Sequence, residues 1–166
     1  MYQTNCIIAL GSNTGNCIYH LKKAIIELEK LGSIKKIASL YLSKPYGYIN
    51  QNDFYNTAVV LKTAQQPMQL MKNIKKIEKK LQKNKKILNG PRKIDIDIIF
   101  YNQLILNTHN LTIPHPRACE RDFVLLPVCN LVPFFRHPVY KLSIKDLVKK
   151  LKNNYLIKKL SNTHFR

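Results

Sequence analysis

Apolar residues along this chain change period in the order strand, helix, strand, strand, helix, strand, and few folds accept that order. Residues 4–10 run apolar into Gly11 and predict a short buried strand. Ile18, Leu21, Ile25, Leu28 and Leu31 then recur at helical spacing and stop at Gly32. Residues 34–42 alternate in part and predict a second strand, and the polar, turn-rich segment 43–52 follows it. Residues 54–63 are β-branched and aromatic, as strands favour. Pro67 suits the first position of a helix whose apolar stripe is Leu70, Ile74, Ile77 and Leu81. A basic loop at 83–91 leads into residues 94–101, the clearest strand of the chain. The expectation is an α+β fold: a ferredoxin-like βαββαβ antiparallel sheet with two helices packed on it.

The last third reads as a C-terminal helical and hairpin addition. It predicts a hairpin or strand near 104–113, a helix near 117–126, and a helix from Ser143. Ser143 with Asp146 three residues on forms a capping box for that last helix. The pattern fades after about residue 152, where the tail is expected to be loosely held. With no internal repeat and no linker, residues 1–166 are expected to be a single domain. A chain of this size buries about 70% of its unfolded surface and needs no staple. No apolar run approaches the roughly 20 residues of a membrane span, and no signal peptide is visible. Four cysteines without CxxC spacing predict a reduced, cytoplasmic protein.

Net charge is +19, which points to nucleic acid, anionic lipid or polyphosphate. Most of it comes from lysines in a chain rich in Lys, Asn and Ile, as compositional drift would produce. The arginines say more. Three of the five, Arg92, Arg117 and Arg121, fall in one 30-residue stretch. An Arg fork holds phosphate in a bidentate way that Lys cannot reproduce. In the same stretch Asp95 and Asp97 share one face of a strand, roughly 6–7 Å apart at about 3.3 Å per step. Aspartate disfavours strands, and the chain has only nine acids. Magnesium takes one or two carboxylates plus phosphates and water, which suits such a pair. Two surface acids on a half-exposed strand are the plain alternative. His115 lies between Pro114 and Pro116, which restrict its backbone. Lys83, Lys85 and Lys86 are either solvated charge or a loop that closes over polyphosphate.

Five blocks together resemble one family. They are Ile8-Ala9-Leu10-Gly11-Ser12-Asn13; Lys44-Pro45-Tyr46-Gly47; Asp53-Phe54-Tyr55-Asn56; Gly90-Pro91-Arg92-Lys93-Ile94-Asp95-Ile96-Asp97; and Pro114-His115-Pro116-Arg117 with Glu120-Arg121-Asp122-Phe123. In order and spacing they resemble the hydroxymethyl-dihydropterin pyrophosphokinases of folate biosynthesis, over most of residues 6–130. The resemblance implies the same ferredoxin-like fold and transfer of pyrophosphate from ATP to a hydroxymethyl pterin. It also implies two Mg2+ ions on Asp95 and Asp97. On the pterin side it implies Ser43, Tyr46, Phe54, Asn56, Asp95 and Phe123. On the ATP side it implies Met71, Glu78, Lys83, Lys85, Arg92, Ile98, Thr112, His115 and Arg121. Asp97, Arg92 and Lys83 would be catalytic. The partners would be small-molecule substrates, with no nucleic acid and no membrane, acting on a monomer.

Two other readings compete. A basic ferredoxin-like sheet suits an RNA-binding module, although aspartates stand where stacking aromatics would be needed. The D-x-D pair also suits a nucleotidyl transferase, which would release pyrophosphate instead of AMP. One departure from the family is plain. Its mobile loop before Gly-Pro-Arg carries arginines and a tryptophan, where this chain has lysines and Asn89. Lysine keeps the charge without the fork, and asparagine cannot stack. Asn89→Trp is therefore expected to lower the pterin KM or raise kcat, and steady-state kinetics showing neither change would refute it.

Overall fold

The computed structural model describes residues 3–81 and 90–160. Eight strands and four helices follow in chain order among these residues. The first part comprises β1 (Thr4–Ser12), α1 (Cys17–Glu29), β2 (Ser33–Ile37), β3 (Leu40–Ser43), β4 (Phe54–Thr63), α2 (Pro67–Leu81) and β5 (Asp95–Tyr101). The second comprises β6 (Leu106–Asn107), β7 (Thr112–Ile113), α3 (Asp122–Leu131), α4 (Ile144–Lys149) and β8 (Leu156–Leu160).

The main sheet has the order β5-β1-β4-β3-β8, with β2 also paired to β4. β1 lies between β4 and β5 and is antiparallel to both. The βαββαβ order is therefore present, with the strand predicted at 34–42 divided in two. The two pieces lie along the same edge of β4, β2 beside residues 59–62 and β3 beside residues 54–56. Where they part, the Thr57 hydroxyl donates to the Ala38 carbonyl at 3.1 Å, and the Ala38 N–H donates to Ala58.

Helices cover both faces of the sheet. On one face Leu21, Ala24, Ile25 and Leu28 of α1 and Leu70, Ile74 and Ile77 of α2 pack on Ile8, Leu10, Leu61, Ile96 and Ile98. On the other, Leu125, Val128 and Leu131 of α3 and Ile144 and Leu147 of α4 pack on Ile7, Ala58, Val60 and Ile99. A strand buried on both sides reads as a continuous apolar run, and Ala58-Val59-Val60-Leu61 is one. The sequence predicted helices on the sheet and helices in the addition. It did not show that the addition closes the second face.

Local chemistry sets the element ends. Asn16 caps α1, its side chain accepting from the Tyr19 N–H at 3.0 Å. Pro67 opens α2 as predicted. Glu27 of α1 meets Lys80 of α2 at 2.9 Å. Ser143 caps α4, its oxygen accepting from the Asp146 N–H at 3.1 Å while its hydroxyl donates to the Asp146 carboxylate at 2.6 Å. The helix expected near 117–126 begins later. A 3-10 turn at Ala118–Glu120 precedes it, and the extended backbone of Arg121 separates the two. The faded tail also differs from expectation, because Leu156–Leu160 form the outermost strand beside β3. Lysines 158 and 159 are exposed there, as suits a sheet edge.

Gly32 lies where the turn after α1 approaches β4. A Cβ there would stand 2.3 Å from the Lys62 carbonyl oxygen, a backbone atom that cannot swing away. Gly32→Ala is expected to lower unfolding free energy by about 1–3 kcal/mol; urea denaturation of the two proteins measures it.

Candidate active site

Directly paired residues of antiparallel strands share a face. Asp95 pairs with Gly11, and Gly11 pairs with Asn56; Asp97 pairs with Ala9, and Ala9 with Ala58. On the face away from α1 and α2, the two aspartates therefore border a floor of small residues. Asn56 stands on its far side. Gly11 makes the floor possible, since a Cβ there would lie 3.1 Å from Asn56 Oδ1. Asn56 donates to the Ser43 hydroxyl at 2.9 Å. Phe54, Tyr46, Arg92, Arg121 and Phe123 complete a cleft over this floor. A second cleft lies beside it, lined by Met71, Lys75, Ile98, Thr112 and His115 among others. Asp97 lines both clefts.

Each charged group in this region has a structural cause for its place. The Arg92 guanidinium donates to Asp95 at 2.8 Å and to the Gly90 carbonyl at 3.2 Å. Its backbone is held by Asn13, whose Oδ1 accepts from Arg92 N at 2.8 Å and whose N–H donates to the Arg92 carbonyl. The Asn13 amide nitrogen also donates to Gln51 and to the Asn52 carbonyl. Two loops thus meet on one buried asparagine. β5 carries a bulge: Ile98 and Phe100 oppose Ile8 and Ile7, leaving Ile99 as the extra residue. The Ile99 carbonyl accepts from His115 N at 3.0 Å, which fastens the Pro-His-Pro segment beside Asp97.

Asp97 is half-buried next to a second carboxylate. Burial first, and then Asp95, push its pKa up to about 6, against the pull of Lys75 and Arg121. Arg121 sits below the usual guanidinium range, through burial and then Arg117. Its Nε is buried with no hydrogen-bond partner among the described residues, a donor left for an anion. Burial and Arg121 also lower the pKa of His115, so its imidazole is neutral at pH 7. Because His115 Nδ1 accepts from Arg117 N at 3.3 Å, the proton is on Nε2, a neutral donor. A carboxylate pair, an unpaired guanidinium and a neutral imidazole donor together suit a hard cation and the phosphates it accompanies. Among the described residues no three or more His, Cys, Asp or Glu side chains gather at one point. Two carboxylates completed by phosphate and water are the donor set magnesium takes.

A model of 7,8-dihydro-6-hydroxymethylpterin-pyrophosphokinase matches residues 7–133. The chain belongs to this family. It is 39% identical to the 2-amino-4-hydroxy-6-hydroxymethyldihydropteridine pyrophosphokinase of Aquifex aeolicus, over 84% of this chain and 87% of that protein. The enzyme of the same name from Bacillus subtilis is 37% identical over 75% of each. A folic acid synthesis protein of Dictyostelium discoideum is 41% identical over 88% of this chain, which spans 22% of that longer protein. The fold matches the wild-type HPPK-DHPS crystal structure of Plasmodium falciparum with TM-score 0.73 at 18% identity, covering 90% of this chain and 45% of that one.

The structure brings most of the residues named from the motifs together. Ser43, Tyr46, Phe54, Asn56, Arg92, Asp95, Asp97, Arg121 and Phe123 line the first cleft. Met71, Ile98, Thr112 and His115 line the second. Lys83, Lys85, Lys86 and Asn89 lie outside the described residues. Glu78, expected on the nucleotide side, is 3% exposed and does not line either cleft. Its Oε1 accepts from Ile96 N at 2.9 Å, on the outer edge of β5, where no strand follows among the described residues. Its Oε2 holds Lys75 at 2.9 Å. Sequence reading passed over Lys75 and Asn13. Lys75 was one lysine among many on α2, one turn before Glu78. Asn13 stood in a quoted motif but had no role until two loops were seen to meet on it.

The raised pKa has a measurable sign. The folded chain holds the Asp97 proton more tightly than the unfolded chain, so cation-free stability falls as pH rises from about 4 to about 6. A divalent cation held there would compete with that proton, and Mg2+ affinity in the presence of a non-hydrolysable ATP analogue should then rise over the same window. Thermal midpoints with and without Mg2+ across this range read both trends, and Asp97→Asn should flatten them.

Proposed function

We propose that this chain transfers the β,γ-pyrophosphoryl group of ATP to the hydroxymethyl oxygen of 6-hydroxymethyl-7,8-dihydropterin, releasing AMP. The observation that carries this reading is Asp97 on the wall common to two clefts. A group transferred between two substrates has to pass such a point. The first cleft suits a flat, polar heterocycle: Tyr46, Phe54 and Phe123 offer ring faces and edges, while Asn56 and Ser43 offer amide and hydroxyl groups. The second suits a nucleotide, with apolar Met71, Ile98 and Leu111 for a base and Lys75 and His115 for phosphate.

In the reaction a bond forms between the hydroxymethyl oxygen and the β-phosphorus, and the bond from β-phosphorus to the α,β-bridging oxygen breaks. The hydroxyl proton is lost and AMP leaves with the bridging oxygen. Asp95 and Asp97 would hold two magnesium ions, which supply Lewis-acid polarisation and neutralise phosphate charge when bound. The chain's own part is placement and fixed charge. Arg92, held by Asn13 and Asp95, lines the first cleft. Arg121 offers its unpaired Nε, and His115 donates from Nε2 without adding charge. Lys75 is bonded to Glu78; against burial, that bond and then the charges of Glu78, Asp97 and Asp95 hold its ammonium pKa above the usual value.

The sheet argues against base stacking. RNA modules of ferredoxin-like fold stack bases on an open sheet face, and here α3 and α4 cover the face opposite α1 and α2. Among the described residues no helix is long and apolar enough to cross a membrane. We place the enzyme in the cytoplasm as a monomer with residues 1–166 as one catalytic unit.

AMP formed from ATP and the hydroxymethyl pterin in a coupled assay tests this reading, and release of pyrophosphate instead would indicate nucleotidyl transfer. Asp97→Ala is expected to abolish turnover while leaving the circular dichroism spectrum unchanged. Arg92→Ala should lower kcat by about 10²-fold or more, as loss of a charged donor at a transferring phosphoryl group does. Full activity of either variant would remove that residue from the site.

A further inference from the structure

The C-terminal segment stands behind the pterin-side wall, and we propose that Tyr155 is a positioning residue that fixes the two aromatic side chains of that wall. This inference rests on the pterin reading of the first cleft.

Tyr46 and Phe123 both line the cleft, and Tyr155 does not. The Tyr155 ring stands behind them, with centroids 5.5 Å from Tyr46 at 68° and 5.9 Å from Phe123 at 86°. Both contacts are edge-on, the favoured arrangement of aromatic pairs. Tyr46 and Phe123 are themselves 6.3 Å apart, so the three rings form one triangle. Tyr46 is on a loop and Phe123 is in the first turn of α3. No strand or helix joins them; the Tyr155 ring meets both edge-on, while the Arg121 guanidinium lies 4.9 Å from the Tyr46 centroid and 6.0 Å from that of Phe123.

Tyr155 is placed with care at the backbone level. The Asp122 carboxylate is 3% exposed and accepts three backbone N–H groups: Oδ1 from Phe123 at 2.7 Å, and Oδ2 from Tyr155 and Leu156 at 2.7 Å each. One buried carboxylate thus ties the start of α3 to the start of β8. The Tyr155 carbonyl accepts from Lys44 N at 2.8 Å, which ties the same residue to the loop carrying Tyr46. Asn153 donates to the Glu120 carbonyl at 3.2 Å. β8 continues the connection by pairing with β3 from Ser43 to Leu40. The C-terminal segment therefore connects to three elements that bear cleft side chains: the end of β3, the loop after it, and the start of α3. Among the described residues nothing from this segment lines the second cleft.

A positioning role for the ring predicts a selective effect. Tyr155→Ala and Tyr155→Leu should raise the KM for the pterin about five- to tenfold, with the KM for ATP within twofold of the wild type. Tyr155→Phe should restore the wild-type value, since the ring makes the contacts. Calorimetric pterin binding should weaken by the same factor in the Ala and Leu variants, and thermal midpoints show whether they fold. A purely structural role would move both KM values together, or lower the midpoint without changing the pterin KM. Either result overturns the inference, as does a Phe variant that behaves like Ala. Wild-type protein that neither binds nor converts the pterin overturns the underlying function reading and this inference with it. Wild-type activity with an unchanged pterin KM in Tyr155→Ala overturns this inference alone.

Discussion

Everything at the site depends on the register of β1 between β4 and β5. Thr4 to Ser12 pair with Thr63 to Tyr55 without interruption on one side, and Gly11 to Ile8 pair with Asp95 to Ile98 on the other. Side chains alternate with period two, so a slip of one residue would turn Asp95 and Asp97 into the α1–α2 core. The Ile94, Ile96 and Ile98 side chains, each at most 1% exposed, oppose that slip through apolar burial. With the register held, the smallest residues of β1 fall between the acids and Asn56, and space for a substrate opens over them.

Asp97 is then displayed in an environment that disfavours its charge. Helices α3 and α4 pack on the second face, and burial and then the neighbouring Asp95 raise the Asp97 pKa. The same closure brings Arg121 and Phe123 over the sheet from the start of α3. Burial thus creates an unfavourable carboxylate and supplies the cationic neighbours that a phosphate-bearing ligand would complete. Glu78 answers a different need. β5 is an edge strand, and a buried edge N–H without a partner is destabilising by about 1–3 kcal/mol; Glu78 accepts that hydrogen bond from beneath. A motif comparison places Glu78 beside nucleotide, while its hydrogen bonds make it a support for the strand that bears the aspartates.

The C-terminal strand shows how a weak sequence signal hides a structural part. Leu156 to Leu160 contain two buried-side leucines around exposed lysines, in a chain where lysine is everywhere. Nothing local separates such a stretch from a solvated tail. Its placement comes from Asp122, more than thirty residues earlier, and from the free edge of β3. Lys75 and Asn13 were illegible for related reasons. One is distinguished from its neighbouring lysines only by where α2 points it, and the other by the two loops it joins.

Local patterning by itself determined the strand and helix order, the α+β class, the starts of α2 and α4, and the common face of Asp95 and Asp97. These follow from side-chain periodicity and capping, which act over a few residues. Motif spacing placed Arg92, His115, Arg121 and Phe123 in the same region. Only the tertiary structure decided that the sheet is covered on both faces, that β2 and β3 part, that Glu78 is buried, and that Asp97 stands between two clefts. Those outcomes depend on which distant surfaces bury one another and which backbone groups find partners, and such contacts join residues that no local period connects.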